Sequence, residues 1–311
     1  MSKPLRVGVV GVGYLGRYHA LIYSRMSAVR LAGVVDLDPS RAEAVAAEAG
    51  CVALPRPEDL YDRVDAVSIV VPTTEHLNVA RPFLQRRIHT LLEKPIAATL
   101  AEAKEIVRVA EASGAVLQVG HLERFNAGVM SLAEHIAQPR FIEAHRMGGF
   151  VERATDVDVV SDLMIHDIDI VLSLVDSEIA RIAAIGTPVL TDHVDIANAR
   201  LEFDNGAVAN VIASRVSDRK MRRIRVFQQR CYLSLDFVEQ TLDRVYPKPR
   251  QGGERPEIVR ERVRIDPVKP LDRELEAFVE CVQQGRRPLV DGHVGLKALD
   301  VALQVRAKID A

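Results

Sequence analysis

The chain has 311 residues, with 41 basic and 43 acidic side chains and only 5% aromatics. That near balance gives no electrostatic argument for nucleic acid or an anionic membrane, and stacking platforms for single strands are scarce. The length accommodates a large core and two domains, no apolar run approaches the roughly 20 residues of a membrane span, and a first strand within a few residues of the start leaves no room for a signal peptide.

Leu5 to Val10 reads as a short buried strand, followed at once by Gly11-Val12-Gly13-Tyr14-Leu15-Gly16. A helix is expected over Arg17 to Arg25, then a second strand over Val29 to Val35 that ends in Asp36. The order strand, glycine loop, helix, strand, acid is a dinucleotide address. Gly11 permits the turn, Gly13 lets backbone approach a pyrophosphate, and Gly16 lets helix and strand pack closely. The N-terminus of that helix favours phosphate, and Tyr14 and Leu15 in the loop before it are expected cofactor contacts. Asp36 is 20 residues beyond Gly16, where a carboxylate can accept from ribose hydroxyls and repel a 2′-phosphate. NAD is therefore expected over NADP, with Arg41 as the one nearby group that softens this choice.

Asp38-Pro39 opens a helix to about Ala49, stopped by Gly50. Asp65 to Val71 reads as a buried strand ending at Pro72-Thr73-Thr74, with a helix from about Glu75. Thr90 to Leu92 is a strand ending at Glu93-Lys94-Pro95. Thr99 and Glu102 form a capping box for a helix to Ser113, and Ala115 to Val119 is the next strand. Such alternation implies a doubly wound parallel sheet over residues 1–120.

The rhythm changes in residues 121–311. Helices are expected over Glu123 to Ala137 and Val159 to Val175, with a strand over Arg140 to Arg146 between them. Asn198 to Phe203 and Ala207 to Ala213 flank Asp204-Asn205-Gly206, a hairpin signal. Ile224 to Gln228, Cys231 to Phe237 and Ile258 to Ile265 continue as strands, Lys248 to Arg255 reads as an exposed loop, and helices near Asp272 to Gln284 and Val294 to Ala307 close the chain. Strands without intervening helices predict a large, mostly antiparallel sheet, hence an α+β second domain. Cys51, Cys231 and Cys281 are scattered and odd in number, so free thiols in a reducing cytoplasm are expected, and no metal centre.

Four places can carry chemistry. Lys94 stands at a strand's carboxyl end, where ligands bind in open parallel sheets; the alternative is a solvated surface lysine. Asp162 and His166 stand four apart on an expected helix, so a carboxylate can orient an imidazole that exchanges a proton with a hydroxyl; the alternatives are a surface ion pair or a structural histidine, with Asp169 holding the helix in place. Arg124, within His121 to Asn126 at the domain junction, suits a phosphate or carboxylate on a substrate, or an interdomain salt bridge. The basic run Arg215 to Arg225 suits a diphosphate, a solvated turn or a subunit contact.

Together these residues resemble the Gfo/Idh/MocA oxidoreductase family. The glycine loop, Glu93-Lys94-Pro95 and the Asp162-to-His166 spacing with Asp169 carry the match, and Pro72-Thr73-Thr74-Glu75-His76 looks like the family's nicotinamide-side loop. The resemblance implies a Rossmann domain, a C-terminal domain whose sheet often joins subunits into a homodimer or homotetramer, and oxidation of a sugar or cyclitol hydroxyl with NAD. It makes Pro72, Thr73, His76 and Glu93 cofactor contacts, Lys94 a group for cofactor and substrate, His166 the general acid/base and Asp162 its partner or a substrate ligand. One departure is Asp156 to Ser161, which lacks the paired glycines of many relatives. Gly120 to Asn126 and Asp162 to Asp169 are further similar to the branch containing UDP-N-acetylglucosamine 3-dehydrogenases, which prepare a keto sugar nucleotide for amination toward a lipid A sugar. In that branch Arg124 and Arg215 would serve the substrate. The other readings on this scaffold are a free-sugar or cyclitol dehydrogenase, an NAD-dependent glycosidase, and a non-catalytic NAD-binding regulator.

Overall fold

Local rules place the first elements where the sequence predicts them. The computed structural model describes residues 3–150, 157–250, 255–265 and 268–310. Strand β1 (Leu5–Val10) runs into the glycine loop, helix α1 (Tyr14–Arg25) follows, and β2 (Val29–Val35) returns beside β1. Asp38 caps α2 (Pro39–Ala49) by accepting from the Ser40 and Arg41 amides, and Gly50 ends it at φ 68°. Then come β3 (Ala53–Leu54), β4 (Ala66–Ile69), α3 (His76–Gln85), β5 (His89–Glu93), α4 (Leu100–Ser113) and β6 (Leu117–Gly120). Both halves of the Thr99–Glu102 capping box are present. The strands form one parallel sheet, ordered β3-β2-β1-β4-β5-β6. The order reverses beside β1, between β2 and β4, which is where an open α/β sheet leaves a crevice at its strands' carboxyl ends.

Further along, the expected helix over 123–137 is shortened. A 3₁₀ turn (Leu122–Phe125) precedes Asn126, whose side chain caps α5 (Ala127–Glu134) by accepting from the Gly128 amide. Strand β7 (Pro139–Met147) follows. The helix expected over 159–175 is a π-helical turn (Val160–Met164) leading into α6 (Ile165–Leu174). Strands β8 (Ile179–Thr187), β9 (Ile196–Phe203), β10 (Val208–Ser214), β11 (Met221–Gln228), β12 (Cys231–Asp236), β13 (Thr241–Lys248) and β14 (Glu257–Val263) complete an eight-stranded sheet ordered β14-β13-β12-β11-β7-β10-β9-β8. All its pairings are antiparallel except β7 with β10. Two helices close the chain, α7 (Pro270–Gln284) and α8 (Gly292–Ile309). Part of the loop expected over Lys248 to Arg255, and Asp156 of the glycine-lacking stretch, lie outside the described residues.

By compactness the chain divides into one unit of residues 1–122 and 269–299 and another of residues 123–268 and 300–311. In the first, Leu275, Phe278 and Val279 of α7 join Val7, Val9, Tyr23, Val34 and Leu91 in one buried cluster. Helix α7, far along the chain, therefore completes the core of the parallel sheet.

Candidate functional site

The glycine loop is shaped for a close ligand. Gly11 has φ 84°, and a Cβ there would meet the Val70 carbonyl oxygen at 2.4 Å. A Cβ on Gly16 would stand 1.9 Å from the Gly11 carbonyl oxygen, so any larger residue would push α1 off the loop. At Gly13, by contrast, a Cβ meets nothing within 4 Å. That open side lies where α1 begins without a side-chain cap, so its first amides face a space that a pyrophosphate can fill. The residues present fit NAD.

Asp36 closes the same loop. Its Oδ2 accepts from the Val12 amide at 2.8 Å, and its Oδ1 from the Asp38 amide at 2.9 Å and from Arg41 Nη1 at 3.1 Å. Three donors leave the carboxylate about one further accepting direction, enough for a ribose hydroxyl. Arg41 also reaches Asp38 at 3.4 Å, so its guanidinium is held by two carboxylates. Asp36→Ser is expected to move preference from NAD toward NADP by at least about tenfold, because it removes like-charge repulsion and leaves Arg41 for the 2′-phosphate. Titration of the two cofactors by fluorescence reads the ratio, and an unchanged ratio would remove Asp36 from cofactor selection.

On the next strands, Pro72 precedes a short 3₁₀ turn (Thr73–Glu75). His76, expected to touch cofactor, is buried. The ring has no exposed surface, Nδ1 is 3.3 Å from the Ile96 carbonyl oxygen and Nε2 is 3.1 Å from that of Val71. Burial lowers its pKa, and a neutral ring donates to only one of those carbonyls. His76 thus braces the loop after β4 against the loop after β5. Glu93 is also largely buried, with Oε1 3.3 Å from His19 Nε2 and Oε2 accepting from the Lys94 amide. Lys94 and Pro95, joined by a cis peptide, are partly exposed just beyond it.

In the second unit the π turn carries Asp162, and His166 follows in α6. Asp158 organises this entry, accepting from the Val160 and Ser161 amides and the Ser161 hydroxyl, with Arg306 Nε 3.2 Å away. π turns inside helices are frequent at functional sites. Asp162 and His166 are both partly exposed, whereas Asp167 and Asp169 are buried. Arg146 forks onto Asp167 at 2.8 and 2.9 Å and reaches Glu123 at 3.0 Å. Burial opposes the Arg146 charge, but Asp167 and Glu123 outweigh it and hold the guanidinium firmly protonated. Arg222, opposite Arg146 in the sheet, is by contrast driven down by burial and by that neighbouring cation.

Two expected substrate groups are occupied by the protein. Arg124 pairs with Asp169 at 3.4 Å and is mostly covered. Arg215 is 6% exposed, its Nε donating to Asp195 at 2.7 Å, Nη1 to the Val157 carbonyl and Nη2 to the Thr191 hydroxyl. Burial raises the Asp195 pKa, but the Val189, Leu190 and Thr191 amides and Arg215 more than reverse this and hold its carboxyl far below the usual range. The basic run therefore disperses. Arg223 pairs with Asp236 and Arg225 with Glu143, leaving Arg219 and Lys220 exposed on the turn before β11. Among the described residues no cluster of His, Cys, Asp or Glu has metal-site geometry, the cysteines are free, and no helix is long and apolar enough to cross a membrane.

The sequence reading missed the buried carriers of this order: His19, Arg146, Asp195 and Glu274. One signal was available. Leu271, Glu274, Leu275 and Phe278 fall on a single helical stripe, and the acid in it has no surface to face.

Residues 5–121 match the description "Oxidoreductase family, NAD-binding Rossmann fold", and residues 129–233 match "GFO/IDH/MocA C-terminal domain". The chain is 39% identical over 308 residues to a UDP-N-acetylglucosamine 3-dehydrogenase of Acidithiobacillus ferrooxidans, covering 99% of this chain and 98% of the relative. A solved structure of that enzyme superposes with a TM-score of 0.93 at 38% identity, again over 99% and 98% of the two chains. A scyllo-inositol 2-dehydrogenase (NAD(+)) of Bacillus subtilis is 29% identical over 70% of this chain and 69% of its own. The structure of a scyllo-inositol dehydrogenase of Lactobacillus casei, with bound NAD(H) and scyllo-inositol, shares the fold at a TM-score of 0.81 and 19% identity, covering 99% and 97%.

Proposed function

The chain belongs to the Gfo/Idh/MocA oxidoreductase family, and from that premise we propose that it oxidises the 3-hydroxyl of UDP-N-acetylglucosamine to a ketone with NAD. The observation that carries the proposal is full-length similarity to an enzyme of that name, at 39% identity over both domains, where the inositol dehydrogenase of Bacillus subtilis aligns with only 70% of the chain. NAD, when bound, takes up the hydride. His166 accepts the hydroxyl proton at a ring nitrogen, and Asp162 orients the ring or the sugar. The Lys94 ammonium stabilises the oxygen as charge develops on it. Tyr14, Leu15, Thr73 and the strand end at Glu93 bear on cofactor.

Arg124 and Arg215 act in this reading by holding Asp169 and Asp195, not by gripping phosphate. The protein works in the cytoplasm as a homodimer or homotetramer, a reading supported by free, scattered thiols and by the family's use of its large sheet.

Purified protein incubated with NAD, UDP-N-acetylglucosamine and a carbonyl trap is expected to yield a trapped product lacking two hydrogens, with matching NADH, by mass spectrometry. Absence of that product from protein shown to bind NAD would sink the sugar-nucleotide reading. Inositols, free sugars and glycosides, run in parallel, would then identify the class.

A further inference from the structure

A polar layer lies inside the otherwise apolar contact between the parallel sheet and helices α1 and α7. Register puts Ser68 (β4), Leu91 and Glu93 (β5), and Gln118 and Gly120 (β6) on one face of the sheet. Helix α1 covers that face with His19 and Tyr23, and α7 covers it with Glu274, all three without exposed surface. Tyr23 and Ser68 share a hydrogen bond of 2.8 Å, and Gln118 Nε2 donates to the Glu274 carbonyl at 3.1 Å. The Glu93 carboxylate rests on Gly120, whose Cβ would stand 2.9 Å from Oε2.

Glu274 is the anomaly of the layer. Neither of its carboxyl oxygens has a hydrogen-bond partner among the described residues. A buried ionised carboxylate without a partner is costly, and the Glu93 carboxylate, itself partnered, is near enough for its charge to act on Glu274. We propose that Glu274 is a positioning residue for the strand end that presents Lys94, acting through Glu93. Two carboxyls can occupy the layer only if one carries a proton. Burial first, and then the Glu93 charge, push the Glu274 carboxyl well above the ordinary range. The neutral acid fills the space behind Glu93, leaving the carboxylate to His19 and the Lys94 amide. Ionised, it would set a second negative charge against Glu93 and displace the strand end. The other titratable groups of the layer are His19, Tyr23 and Glu93. On α7, Arg273 pairs with both Glu276 and Glu280 nearer the surface.

The same proton has a thermodynamic sign. The folded chain keeps it at a pH where the unfolded chain has released it, so this group stabilises fully only below the ordinary carboxyl range and progressively less as pH rises toward the folded value. Glu274→Gln removes that dependence, and the variant should gain thermal stability over the parent at pH 8 more than at pH 5.

The inference rests on the dehydrogenase reading for the importance of Lys94, so its test includes readouts free of any substrate. Full-length protein, Glu274→Gln and Glu274→Leu are compared with NAD present. In infrared spectra at pH 7 the parent shows a carboxylic-acid C=O band that Glu274→Gln lacks. Acylation of Lys94 by an amine-reactive ester, read on its peptide by mass spectrometry, stays within about twofold in Glu274→Gln and changes at least about fivefold in Glu274→Leu. Where turnover is measurable, the parent loses kcat at alkaline pH and Glu274→Gln does not, with NAD affinity equal in both. A missing acid band overturns the proposal, as does a Lys94 labelling rate in Glu274→Leu equal to the parent's. Should Glu274→Leu fail to fold, the band and the alkaline stability of Glu274→Gln decide. A parent inactive on every sugar nucleotide sinks the substrate reading alone, because band, stability and labelling still report.

Discussion

Replacing His166 by Asn, or Lys94 by Met, is expected to lower kcat by about 10²- to 10⁴-fold while the NAD dissociation constant changes by less than about threefold. The separation follows from where binding and chemistry reside. In the proposed reading the pyrophosphate sits at Gly11, Gly13 and Gly16 and the ribose at Asp36, in the β1–α1 loop, the first turn of α1 and just beyond β2, remote in sequence from both residues. In the proposed mechanism, proton transfer to His166 and charge stabilisation by Lys94 are needed only as the hydroxyl is oxidised, so their loss appears in the chemical step. Stopped-flow NADH formation and cofactor titration on the same samples give the two quantities. Parallel loss of turnover and NAD affinity would make these residues cofactor ligands, and unchanged turnover would remove them from the chemistry.

Arg146→Met is expected to cost about 3–5 kcal/mol of stability, the usual penalty for stranding buried partners of an ion pair. Arg146 is 4% exposed, and its loss leaves Asp167 and Glu123 without their hydrogen-bonded cation, Arg222 acting on them only through its charge. Asp167 adjoins His166, so the same change loosens the start of α6. Thermal unfolding should fall by about 10 °C. Adding Asp167→Asn to Arg146→Met should recover part of the loss, since it removes one stranded charge. A single variant as stable as the parent would show that the fork contributes nothing net.

What was legible in the sequence was local. Asp38-Pro39 to Gly50 and Thr99 with Glu102 specify helix ends by side-chain chemistry within four residues, and both were readable to the residue. Strands β8 and β13 were not readable. Ile179–Thr187 has a single fully buried position, and Thr241–Lys248 likewise has one and also carries Pro247. The π turn was hidden because Val159, Val160, Met164 and Ile165 keep an apolar rhythm that an uninterrupted α-helix would share. The basic run misled for a geometric reason. The run spans the turn between β10 and β11, and its arginines find partners on different elements: Arg215 meets Asp195 just before β9, Arg223 meets Asp236 on β12 and Arg225 meets Glu143 on β7. Lys94 and His166 were legible as residue types at motif spacings. Glu274 and Arg146 were not, because their partners lie on elements far away in sequence.

Strand β7 is the earliest strand of the eight-stranded sheet to leave the ribosome, yet it sits in the middle of it. Its partners come much later, Phe141 pairing with Val208 on one side and with Phe227 on the other. A growing chain therefore carries nine residues with both edges open until about sixty more have been added, and α6 with His166 is made inside that interval. Long-range pairing of this kind slows folding and exposes strand edges to other chains. Yield in a recombinant host should accordingly depend on synthesis rate and chaperone supply, and truncations ending between β7 and β11 should precipitate where the complete chain stays dissolved.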